Sequence, residues 1–196
     1  MEIIKTNIEG VVLLEPRIFY DDRGYFFESF SEKDFHNLVC CNTRFVQDNE
    51  SRSSYGVVRG LHFQKPPFAQ SKLVRVIQGA VLDVAVDIRK GSPTFGQHVA
   101  VELSEENHRQ LFIPRGFAHG FSVLTPEVLF QYKCDNFYAP QSEGAIAWDD
   151  PDLNIDWRIP TNQVILSEKD KHHTRLKDAE WLFDANTDYY ANPEIK

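Results

Sequence analysis

At 196 residues the chain is long enough to bury roughly 70% of its unfolded surface, which suits a single domain, read as 1–196 with a peripheral segment from about residue 171. A net charge of −8 with no cluster of five Lys/Arg excludes a nucleic-acid surface. No 18-residue apolar run is present that could span a membrane.

The cysteines, Cys40, Cys41 and Cys134, form no Cys-x-x-Cys pair, so neither a disulfide framework nor a zinc site is suggested. With no apolar leader after Met1, they read as reduced thiols of a cytoplasmic protein. Fifteen Phe bring the aromatic share to 13%, which favours strands and ligand-stacking walls.

Taken in order, residues 11–20 begin apolar and end at the turn signature Asp21-Asp22-Arg23-Gly24. Tyr25 to Phe30 reads as a strand with Glu28 embedded. Ser31 and Asp34 have N-cap spacing and open a short helix carrying Phe35 and Leu38. Beyond Thr43 the pattern is β. Phe45-Val46-Gln47-Asp48-Asn49 is a strand ending in polar amides, followed by a Ser-rich turn at 51–54. Gly56 to Gln64 is an apolar strand carrying Arg59 and His62. Three apart, those two would face opposite sides of an ideal strand; Gly60 offers a bulge between them.

Lys65-Pro66-Pro67 is a loop. In Lys72–Gln78, Lys72, Val74 and Val76 share one face. In 82–88, Leu82, Val84, Val86 and Ile88 oppose Asp83, Ala85 and Asp87. Val99, Val101 and Leu103 mark another strand. Phe117, His119, Phe121 and Val123 point one way, as do Phe130, Tyr132 and Cys134. Seven or more strands with turns every eight to twelve residues predict a sandwich or barrel. Ser167-Glu168-Lys169-Asp170 has capping-box spacing, and 175–183 is expected to form an amphipathic helix with Leu176, Ala179 and Phe183 on one face.

Among chemistries, a barrel metal site wants two histidines one residue apart, and His62 has none at that spacing; His98, His108 and His119 are scattered, and His172-His173 point in different directions. No Gly-x-Ser-x-Gly or phosphate-cradling glycine loop occurs. Acid/base chemistry remains. His62 is the natural general base near neutral pH and needs an orienting carboxylate, for which Asp83, Asp87 and Asp170 are all available. Tyr132 could deliver a proton. Arg23, Arg59 and Lys72 are candidate contacts for an anionic substrate.

Phe45-Val46-Gln47-Asp48-Asn49, Gly56-Val57-Val58-Arg59-Gly60-Leu61-His62, Lys72-Leu73-Val74, Asp83-Val84-Ala85-Val86-Asp87, Ile113 to Phe121, Tyr132-Lys133 and Leu166 to Asp170 stand together at a family's spacing. From about Ile4 to Asp170 the chain resembles the dTDP-4-dehydrorhamnose 3,5-epimerase family. The resemblance implies an all-β cupin-type jelly roll with a few short peripheral helices, a homodimer, and chemistry without metal or cofactor. It implies a dTDP-4-dehydro-6-deoxy-D-glucose substrate whose C3 and C5 protons are acidified by the C4 ketone.

By that analogy His62 removes the proton, Asp170 orients His62, and Tyr132 returns a proton to the opposite face. Lys72 stabilises the O4 oxyanion, a contribution of roughly 3 to 4 kcal/mol in other enzymes. Substrate contacts are implied at Arg23, Phe26, Glu28, Gln47, Asp48, Asn49, Arg59, Lys72, His119, Glu143 and Lys169, with Tyr138 stacking on thymine. The alternatives are an enzyme inverting C3 or C5 alone or moving the ketone, and a non-catalytic sugar-nucleotide-binding barrel, which should have lost His62 or Tyr132.

Overall fold

The computed structural model describes residues 1–40 and 42–191; Cys41 and residues 192–196 lie outside the described residues. The chain opens with β1 (Glu2–Lys5) and β2 (Val12–Glu15), then a short hairpin of β3 (Phe19–Asp21) and β4 (Gly24–Phe26). Helix α1 (Glu32–Leu38) begins where expected, because the Ser31 hydroxyl accepts the Asp34 N–H at 3.3 Å and Phe35 is buried beneath it. There follow β5 (Gln47–Ser54), β6 (Val58–Gln64), β7 (Lys72–Gln78), β8 (Ala80–Asp87), β9 (Arg89–Lys90), β10 (His98–Ser104), β11 (Gln110–Ile113), β12 (Phe117–Val123) and β13 (Glu127–Cys134). The last strands are β14 (Glu143–Ala145) and β15 (Phe183–Asp184).

These strands build a six-stranded sheet, β1-β2-β11-β7-β13-β5, and a five-stranded sheet, β10-β8-β12-β6-β14, both antiparallel. Two antiparallel sheets face each other as a cupin-type jelly roll. The alternation read from sequence decides which residues lie between them. Val74, Val76, Ala85, Phe117, Phe121, Val123 and Phe130 meet in the inner core. Leu82, Val84, Val86 and Ile88 face outward into a second core beneath the C-terminal segment. Helix α1 covers the outer face of the six-stranded sheet, packing Phe35 on Leu14, Leu73 and Phe112.

Several expected elements differ. The strand at 25–30 ends at Phe26, and the next residues are anchored by side chains instead of a ladder: Phe27 lies 5.1 Å from His108, and Phe30 lies 5.4 Å from Phe45. Residues 51–54 are strand, paired in register with β13 from Ser51↔Phe130 to Ser54↔Glu127, and the turn falls instead at Tyr55–Gly56. The helix at 175–183 is a single 3-10 turn, Leu176–Asp178. Tertiary partners hold the backbone there, since Thr174 O accepts from Ala147 N at 2.8 Å and Leu176 N donates to Asp150 Oδ2 at 2.7 Å. The stretch after 171, expected to be peripheral, places Leu176 and Phe183 in the second core. No described helix is long and apolar enough to cross a membrane.

Candidate active site

Strand β6 brings both of its polar residues to one place by means of a bulge. His62 pairs with His119 and Arg59 with Phe121, so three residues of β6 span two of β12. The extra residue is Gly60, at φ +132, where a Cβ would stand 2.6 Å from Gly120 Cα. The slip restores the outward face, with Val58, Leu61 and Phe63 all in the second core, and leaves Arg59 and His62 on the other side.

His62 Nε2 lies 2.6 Å from Asp170 Oδ1; the imidazole is 41% exposed and the carboxylate 5%. A carboxylate only accepts, so Nε2–H donates and Nδ1 is left as the basic nitrogen. Of the three acids open to His62 from sequence, structure allots each a different partner. Asp83 takes His119 Nε2 at 3.0 Å, Asp87 binds Arg89, Ser92 and Thr94, and Asp170 takes His62. The expected capping box at Ser167 is half present. Asp170 N donates to Ser167 Oγ at 3.2 Å, but the Asp170 carboxylate accepts from Ser167 Oγ and His62, and only a 3-10 turn follows.

Burial works to raise Asp170, yet hydrogen bonds from His62, Ser167 and His173 outweigh it and hold the carboxyl below its ordinary range. His119, opposite Asp83, is pushed down by burial, with the charges of Lys72 and His62 acting the same way. It sits 7% exposed behind the cleft and does not line it.

His62, Lys72 and Tyr132 line one cleft of about 550 Å³, a volume suited to a small organic ligand. Burial lowers Lys72, against the pull of Cys134 and Asp83, and its Nζ lies 5.9 Å from the Tyr132 ring centroid. Burial also raises the Tyr132 phenol, keeping it protonated at neutral pH. Cys134, in the same wall, is pushed up to about 11 by burial and is an inert neutral thiol.

Gln47 and Asn49 reach this cleft from β5, and Tyr138 N donates to Gln47 Oε1 at 3.0 Å. Tyr138 OH donates to Glu143 Oε1 at 3.0 Å, and Glu143 is ion-paired with Lys169. Glu143, Lys169 and His62 also border a second hollow of about 320 Å³, which Arg59 lines. His62, Glu143 and Lys169 line both hollows.

Besides His119, four further expected contacts lie elsewhere. Asp48 alternates to the other face of β5 and bonds Lys133 Nζ at 2.9 Å. Arg23, Phe26 and Glu28 ride on or beside the exposed β3–β4 hairpin, where Arg23 pairs with Asp21 at 2.5 Å, and line neither hollow. Sequence reasoning missed Ser167 and His173 as site residues; their spacing of three on either side of Asp170 is the signal that could have found them.

His62, Asp170 and His173 offer three donor atoms within 4.8 Å of one another. Both imidazoles aim at one Asp170 oxygen, so the observed arrangement is a hydrogen-bond network centred on the carboxylate.

Residues 5–178 match the family model for dTDP-4-dehydrorhamnose 3,5-epimerase. The chain belongs to that family. An enzyme of this name from Shigella flexneri is 52% identical over 182 residues, covering 93% of this chain and 99% of the relative. One from Escherichia coli is 54% identical over 171 residues, covering 87% and 92%. A Legionella pneumophila 3,5-epimerase solved in complex with dTDP-4-keto-L-rhamnose superposes with a TM-score of 0.91 at 52% identity, covering 95% of this chain and 99% of that one. The epimerase family thus spans the sheets and the turn at 167–170 alike.

Proposed function

We propose that this isomerase inverts C3 and C5 of dTDP-4-dehydro-6-deoxy-D-glucose to give dTDP-4-dehydro-L-rhamnose. The observation that carries the reading is that His62, held from behind by Asp170, lines the same cleft as Lys72 and Tyr132. His62 Nδ1 takes the proton from the carbon beside the C4 ketone, and the Asp170 carboxylate balances the imidazolium that forms. Lys72 meets the oxyanion developing at O4 as the enolate forms. Tyr132 returns a proton to the opposite face, which inverts the centre. Arg59 and Lys169 supply cations for the diphosphate in an otherwise acidic protein, and Tyr138 gives the thymine a ring to stack on. The acid, base and oxyanion partner are all side chains of this chain, so the reaction needs no metal or cofactor.

The same reading includes a homodimer. Phe19, Tyr20, Tyr25 and Phe26 on the β3–β4 hairpin are 51%, 71%, 57% and 69% exposed, an apolar surface that suits a second copy. Arg23, Phe26 and Glu28, which do not line the chain's own cleft, then serve the cleft of the partner.

The deciding experiment is incubation with the substrate in deuterated water, followed by NMR of the sugar. Deuterium at both C3 and C5 is expected. Label at one carbon alone would make the enzyme a single-centre epimerase, and no label at either would end the enzymatic reading.

A further inference from the structure

His173 occupies the cleft wall at 13% exposure while its neighbour His172 faces solvent. The extended backbone at His173, φ −76 and ψ 151, ends the 3-10 turn Asp170–His172 and swings the ring back over Asp170. Its Nε2 lies 3.2 Å from Asp170 Oδ1, the oxygen that His62 also uses, and its ring stands edge-on to that of His62 at 89° and 5.7 Å. The carboxylate therefore accepts three side-chain hydrogen bonds, from His62 and His173 on one oxygen and Ser167 on the other.

We propose that His173 is a positioning residue of the epimerase, acting through Asp170 to fix the His62 ring and to limit how tightly Asp170 holds the proton His62 acquires. The inference rests on His62 being the base. A single base that serves two carbons must shed its proton between them, and an Asp170 oxygen shared with a second donor is a weaker partner for the imidazolium than an unshared one. Burial pushes His173 down, so the ring is neutral and has one N–H to give. Around this cluster the facing charges are Lys169 on the same segment, Glu143 on β14, and Lys72 and His119 beyond His62.

The test compares His173→Phe, which keeps a ring but no donor, with His173→Gln, which restores a donor at similar reach. In His173→Phe the acid limb of the kcat/KM–pH profile should move up by about half a unit or more. Sugar labelled at one carbon only should accumulate in deuterated water, while KM changes little. His173→Gln should return both readouts toward the unmodified enzyme. An unshifted profile in His173→Phe, or equal impairment in the two variants, overturns the proposal.

A measurement on the unmodified enzyme guards against misfolded variants: ring-nitrogen NMR should show His173 protonated at Nε2 and neutral at pH 7, and a bare Nε2 overturns the proposal equally. His62→Ala separates the two failures. If it still exchanges C3 and C5 protons, the base assignment falls; if it is inactive while His173→Phe is normal, only the role of His173 falls.

Discussion

His62 reaches its proton-transfer role because one nitrogen is committed to Asp170, leaving the other free. Replacing it with Ala should lower proton exchange by roughly 10²- to 10⁴-fold, the usual share of a positioned base, while dTDP binding persists in calorimetry. Tyr132→Phe should still wash deuterium into the sugar but invert poorly; a normal rate of inversion would remove Tyr132 as the acid. Asp170 allows a test by pH. Its folded value lies below the ordinary 3.8, so the stability it contributes is present above about pH 4 and is lost as pH falls through the folded value. The stability gap between Asp170→Asn and the unmodified protein in urea should therefore be wider at pH 7 than at pH 3, and an equal gap at both would contradict the assignment.

At the scale of the element, β6 is a strand with one residue too many. Without the extra residue at Gly60, alternation would send either Arg59 or His62 into the second core with Val58 and Leu61. Gly60→Ala puts a Cβ 2.6 Å from Gly120 Cα and 2.9 Å from His119 O at a φ of +132, and neither backbone neighbour can swing aside. A loss of about 2 to 4 kcal/mol in denaturant unfolding is expected, with activity falling beyond what the unfolded fraction explains. A stability loss under about half a kcal/mol would mean that the bulge relaxes freely. The turn at 167–170 is the complementary element. Ser167 and Asp170 retain part of a helix-start signature, but their side chains have been turned to holding a base that stands on β6.

For the whole molecule, the exposed β3–β4 hairpin is the feature that a solitary chain does not explain. Tyr25 and Phe27 brace it on His108, at 4.8 and 5.1 Å, while Tyr20 and Phe26 remain outward. In light scattering, Tyr20→Ser with Phe26→Ser should convert the proposed dimer to monomers that keep their fold, because neither ring is in a core. kcat/KM should fall at least about tenfold if Arg23 and its neighbours complete the partner's cleft. A fully active monomer of the unmodified protein would refute both the dimer and the shared cleft.

By itself the sequence determined the β architecture and the inward and outward sets on β7, β8, β12 and β13, since side-chain alternation is a local property of strands. The motifs around His62, Tyr132 and Asp170 also sufficed for the family. Residue chemistry alone left Asp83, Asp87 and Asp170 open and the family resemblance pointed to Asp170, but only the tertiary structure shows the contact, because Asp170 is 108 residues from His62 and chain closure, not spacing, brings them together. It likewise turned Asp48 outward, set the 19–28 segment away from its own cleft, and dissolved the helix expected at 175–183, whose backbone groups found tertiary partners. It drew His173, which sequence could only place in a loop beside His172, onto the carboxylate at the centre of the site. Local pattern sets which face a residue takes, whereas the partner it meets there depends on which distant strand or turn the closed fold places opposite.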